Sequence, residues 1–141
     1  METQTQTQVQ TQVPFRVEVV KVIKKWNVKN EDIQKIVVGY LLAYNNKYNE
    51  NKYVTLYYHD EWGSCREQKS VVLSEDGGYL EGGEWIDNSS RKNAHKFKVM
   101  EVAEFLEKYA GKNLVIYVYE SPSCNTAKQF SFKAVFRVAR G

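Results

Sequence analysis

The sequence predicts an α+β domain, with two helices packed on one face of an antiparallel or mixed sheet of about five strands. Two helical periodicities and four segments that alternate apolar with polar residues carry that expectation. The stronger periodicity lies in Asn30 to Asn46, NEDIQKIVVGYLLAYNN. There Ile33, Ile36, Val37, Tyr40, Leu41 and Tyr44 recur at the spacing of one helical face, wide enough to need a sheet beneath it. Asn30 stands where an N-cap belongs, with Glu31 and Asp32 at the positive end of the helix dipole.

The elements follow in order. Thr3 to Gln12 alternates Thr and Gln without an apolar face, so residues 1–13 read as a polar arm and 14–141 as a single domain. Phe15, Val17, Val19 and Ile23 alternate with charged residues, a strand from about 15 to 24. After the first helix and a polar loop at Lys47 to Lys52, Tyr53 to Asp60 is the next strand, turning at Trp62-Gly63 into a partner near Gln68 to Leu73. Glu75 to Ser90 contains two Gly-Gly pairs and reads as a hairpin or loop. A basic patch follows, Arg91, Lys92, His95, Lys96 and Lys98, and then a second helix from about Val99 to Ala110, stopped by Gly111. Two strands close the chain, Leu114 to Tyr119 and Phe130 to Val138. Each half runs helix, Tyr-rich strand, turn and strand, and each turn has Ser-Cys three residues after a Glu (Glu61 with Ser64-Cys65, Glu120 with Ser123-Cys124), which suggests an αββ repeat.

Composition limits the function classes. No apolar run approaches the roughly 18 residues of a membrane helix, and the first residues form no basic-then-apolar leader, so the expected compartment is the cytoplasm. The net charge of +3 permits nucleic-acid contact without demanding it. Two cysteines, Cys65 and Cys124, are too few for a disulfide framework or a structural zinc site. Ten tyrosines, against six phenylalanines and three tryptophans, suit a half-exposed sheet or an interface, because each ring packs while its hydroxyl stays wet.

The strongest functional signal is the sheet face turned away from the helices. If Val54, Leu56, Ile116 and Phe132 point to the core, alternation puts Tyr53, Tyr57, His59, Tyr117, Tyr119, Lys133 and Arg137 on the other side. Rings interleaved with cations suit the stacking of bases and the pairing of phosphates. The same face could instead seat a protein partner or a second copy, or stabilise an exposed sheet by cross-strand tyrosine pairs. The expected function is a non-enzymatic binding module for a protein, for itself or for nucleic acid.

Two further motifs bear on chemistry. Asp60 followed by Glu67-Gln68-Lys69 resembles the metal-dependent nuclease core PD-(D/E)xK, although its Pro-Asp is absent and the spacing is short. The resemblance implies carboxylates on a divalent cation and a lysine steadying the transition state, and it makes Asp60, Glu67 and Lys69 the alternative, catalytic set. KQFSFKAVF (Lys128 to Phe136) resembles the aromatic RNP1 signature at Lys128, Phe130 and Phe132. Gln129 and Ser131 replace its glycines, and the last-strand position departs from that family, which is not carried over. Neither His59 nor His95 has a ligand at metal spacing, so no metal or cofactor is assigned.

With its Tyr, Lys, Asn and Val and its Thr/Gln tail, the chain resembles in style the small orphan proteins of viruses of thermophilic archaea. That resemblance implies an accessory protein of the host cytoplasm that binds host or viral macromolecules, and tolerance of an intracellular disulfide.

Overall fold

The computed structural model describes residues 14–44, 51–62, 66–89, 93–122 and 128–141. The Thr/Gln arm, part of the polar loop, Gly63, Cys65, Arg91, Lys92 and Cys124 lie outside the described residues.

The chain forms β1 (Phe15–Trp26), α1 (Asn30–Leu41), β2 (Tyr53–Trp62), β3 (Arg66–Ser74), β4 (Glu84–Ser89), β5 (Asn93–Glu101), α2 (Val102–Tyr109), β6 (Leu114–Pro122) and β7 (Phe130–Arg140). All seven strands join one sheet in the order β1-β7-β6-β3-β2-β5-β4, and every pairing is antiparallel. The expected α+β domain of about five strands is therefore corrected to a mostly β fold with two short helices.

The two additional strands account for the difference. β4, EWIDNS, follows the second Gly-Gly pair within the segment read as a loop. β5, NAHKFKVME, was hidden by its charge: Lys96 and Lys98 alternate with the buried Phe97 and Val99. It runs into α2 without a glycine or proline between them. Glu101 ends the strand and serves as the N-cap of α2 in an extended conformation, so Val99 belongs to the strand and not to the helix. The first helix also differs at its start. Lys29 is its N-cap, Asn30 is its first residue, and no side chain caps it.

Both helices contribute to one core. Ile33, Val37 and Leu41 of α1 and Phe105 and Leu106 of α2 are buried with Val54, Ile116, Val118, Phe132 and Phe136. Burial of each such side chain stabilises by about 1.5–3 kcal/mol. Phe15 of β1 meets Phe105 of α2, with ring centroids 6.2 Å apart.

Pairing does not follow a repeat. Equivalent αββ halves would match the β1–β7 pair with a β5–β3 pair, whereas β5 lies against β2. β1 is one edge of the sheet, and its register against β7 shifts twice, between Val19 and Lys21 and between Val22 and Lys24. Such bulges twist an edge away from further pairing.

Among the described residues, no helix is long and apolar enough to cross a membrane.

Candidate functional site

Register assigns each side chain to a face. On the helix side lie Tyr58, Ser70, Val118 and Phe132, matched across β2, β3, β6 and β7. Their neighbours on the open side form a row through every strand: Trp85, Lys98, Tyr57, Val71, Tyr117, Lys133 and Lys24. Beside it runs a second row, Lys96, His59, Lys69, Tyr119, Ser131 and Trp26.

Six of the seven expected binding residues share this face. Tyr57, His59, Tyr117, Tyr119 and Lys133 stand in these rows, and Arg137 lies further along β7 opposite Glu18, donating from Nε to Asn113 Oδ1 at 2.7 Å. Tyr53 does not share it. The β2–β5 register shifts between Thr55 and Tyr57, and that bulge reverses the alternation on the N-terminal side. Tyr53 instead packs on Tyr44, beyond the end of α1, at 5.7 Å between ring centroids, and Tyr44 in turn touches Phe97.

Sequence alone omitted Lys24, Trp26, Lys69, Trp85, Lys96 and Lys98 from the face. Five of these stand on β1, β4 and β5, which the sequence pattern shortens or reads as loop and patch, and the signal that locates Lys96 and Lys98 is their alternation with Phe97 and Val99. The cations engage the rings. Lys96 Nζ lies 4.8 Å from the centroid of the Trp85 ring and Lys98 Nζ 5.9 Å, while Trp85 meets Tyr57 edge-on at 5.5 Å. Trp26 and Trp85 are 55% and 53% exposed.

The nuclease-like residues are divided by the sheet. Asp60 pairs with Gln68 and faces the helices, where Tyr58 donates to Asp60 Oδ2 at 3.0 Å and His95 Nδ1 lies 2.8 Å from Oδ1. Glu67 and Lys69 are on the opposite face, 3.5 Å apart. At that end of the open face His59 Nε2 lies 3.1 Å from Glu67 Oε2, and donor atoms of His59, Glu61 and Glu67 all fall within 4.8 Å of one another. These three could hold a metal ion. They were not legible as ligands because the cross-strand matches His59 with Lys69 and Glu61 with Glu67 bring them together.

A mostly apolar cleft of about 470 Å³ opens between α1 and the sheet, lined by Ile36, Tyr40, Tyr58, Gln68, Glu120 and Phe130 among others. Tyr40 donates to Glu120 Oε2 at 2.8 Å. Burial first, and then the adjacent Glu120 carboxylate, push the Tyr40 phenol well above its ordinary range.

No protein-family model matches the chain, and no curated protein or solved structure is significantly similar to it.

Proposed function

We propose that this protein binds single-stranded nucleic acid across the open face of its sheet. The observation that carries the reading is the row Trp85, Lys98, Tyr57, Val71, Tyr117, Lys133 and Lys24, in which three rings and three cations are interspersed across the seven strands with Val71 between Tyr57 and Tyr117. Bases stack on exposed rings at about 1–3 kcal/mol each, and lysines meet the phosphates between them. Neighbouring strands lie about 4.8 Å apart, which separates Tyr57 from Tyr117 by roughly 10 Å. Stacked bases repeat at about 3.4 Å. The spacing therefore favours an opened strand whose bases splay onto separate rings over a duplex that keeps its bases inside.

Charge also favours a polyanion over a protein partner or a second copy. Arg16, Lys21, Lys24, Lys69, Lys96, Lys98, Lys133 and Arg137 share this face with Glu18, Glu61 and Glu67, and two copies face to face would oppose their cations.

Fluorescence anisotropy with labelled single- and double-stranded DNA and RNA over a series of salt concentrations tests the reading. The expected result is preference for single strands with affinity falling steeply as salt rises. Absence of binding at low salt, or a salt-independent affinity, overturns it.

A further inference from the structure

β2 and β3 part company beyond the Tyr57–Val71 pair. β3 continues along β6 to Ser74, while β2 bulges between Thr55 and Tyr57 and stays with β5. Leu80, from the connection between β3 and β4, fills the split. It is buried, and it packs in the same core as Leu56 and Val72. The connection is held over the sheet at two points. Tyr79 bridges Leu73, and Lys98 Nζ donates to the Leu80 carbonyl at 3.2 Å.

A cavity of about 410 Å³ remains there. Leu56, Val72 and Leu80 give it an apolar lining, the rings of Tyr57, Tyr79 and Trp85 border it, and Lys96 and Lys98 supply its charge. Its volume lies in the range of about 300–1,000 Å³ usual for small-molecule sites. Tyr79 is 74% exposed and Trp85 53%, so two of the most exposed large apolar side chains among the described residues border one hollow. Lys96 over the Trp85 ring fixes the indole while leaving half of its surface open. An apolar lining, aromatic borders and paired ammonium groups together select a flat aromatic ligand that bears an anion.

We infer that the cavity takes a single nucleobase from the strand lying on the open face, with the phosphate of that nucleotide on Lys96 and Lys98. The inference rests on the nucleic-acid reading and extends it: the remaining rings stack bases on a surface, whereas this one encloses a base. The cavity sits at the β4 end of the main row, so a strand following the row would enter it at one end.

The test pairs a nucleoside 5′-monophosphate, titrated into the millimolar range, with a short single-stranded oligonucleotide. Backbone amide shifts follow the site, and ribose 5-phosphate serves as the control without a base. The expected result is that the monophosphate moves the amides of Tyr79, Trp85 and Lys98 and that ribose 5-phosphate leaves them in place. Trp85→Ala, and separately the exposed-site variant Tyr79→Ser, should weaken both monophosphate and oligonucleotide by about tenfold, the stacking worth of one base. If the oligonucleotide binds with full affinity to both variants and the monophosphate moves none of these amides, the enclosed-base site is overturned while the strand-binding face stands. If the monophosphate binds there and no oligonucleotide binds the protein, the strand reading fails and takes this inference with it.

Discussion

Tyr57 and Tyr117 stand in one row of the open face, joined through Val71, which pairs with Tyr57 on one side and with Tyr117 on the other. Neither ring belongs to the core cluster beneath the helices. Replacing Tyr117 with Ser should thus leave the fold intact and weaken single-strand binding by about 1–3 kcal/mol, the worth of one stacked base. Anisotropy titration measures the binding, and a thermal melt establishes that the variant is folded. An unchanged affinity in a folded variant would remove Tyr117 from the contact.

Lys24 and Lys133 pair across β1 and β7 at the opposite end of the row from Trp85. On the proposed path each meets a phosphate. Lys24→Ala and Lys133→Ala should each lower the slope of log affinity against log salt by about 0.7, the share of one phosphate on a single strand. A loss of affinity with the slope unchanged would assign these lysines a role other than phosphate contact.

Which parts of this face were legible follows from how local each signal is. Tyr117 and Lys133 fall on strands whose core residues recur with a period of two, Leu114, Ile116 and Val118 in β6 and Phe132, Ala134 and Phe136 in β7, and that period assigns a face without knowledge of partners even though Val115 is buried as well. Tyr53 was misplaced because the period breaks at a bulge, and a bulge is a property of the β2–β5 pair that no single strand announces. Lysine disfavours strands, so Lys96 and Lys98 look like a surface patch in the sequence, whereas neighbours on both sides, β2 and β4, hold β5 in the sheet. The fold class suffered from the same cause: β4 and β5 are strands by tertiary pairing more than by composition. The division of Asp60 from Glu67 follows from the register: Trp62 pairs with Arg66, so partners are an even number of residues apart and Glu67 falls on the face opposite to Asp60, whereas a register one residue away would have put the two carboxylates on one face.

That division has a consequence for stability and activity. Asp60 on the helix side accepts from Tyr58 and neighbours His95, so Asp60→Ala leaves polar groups of both without this partner and should destabilise by about 1–3 kcal/mol. Glu67→Ala, on the open face, should cost about 0.5 kcal/mol or less. Urea denaturation compares the two. The wild-type protein should not cleave nucleic acid with Mg²⁺ or Mn²⁺ through these residues, and metal-dependent cleavage lost in both variants would contradict the separation.

Gly83 shows where backbone geometry excludes a side chain. Its φ is +85°, and a Cβ there would lie 2.7 Å from the Val99 carbonyl oxygen, at the entry to β4. Gly83→Ala must adopt a left-handed conformation, which costs about 1–2 kcal/mol, and must also push β4 from β5. A fall in the urea midpoint should accompany weaker oligonucleotide binding, because Trp85 is two residues away. Gly39→Ala is the control: nothing lies within 4 Å of its Cβ position, and alanine favours the helix.

Tyr40 ties α1 to β6 through its 2.8 Å hydrogen bond to Glu120, and this bond gives the protein a dependence on alkaline pH. Burial and the neighbouring carboxylate raise the folded-state pKa of the phenol, whereas in the unfolded chain the phenol ionises near pH 10. Below pH 10 both states hold the proton, and the contribution of the bond is fully present. Above it the unfolded state releases the proton while the folded state keeps it, so the folded state binds more protons and stability falls as pH rises. Tyr40→Phe retains the ring against Tyr58 and removes only the hydroxyl. It should cost about 1–3 kcal/mol at pH 7, because the half-buried Glu120 loses its donor. The gap between wild type and variant should then narrow as pH climbs beyond 10, since the variant has no phenol at this position to titrate. Urea unfolding of both proteins at pH 7, 9, 10 and 11 measures the gap, and a gap that stays constant or widens would show that the Tyr40 phenol is not held protonated by the fold.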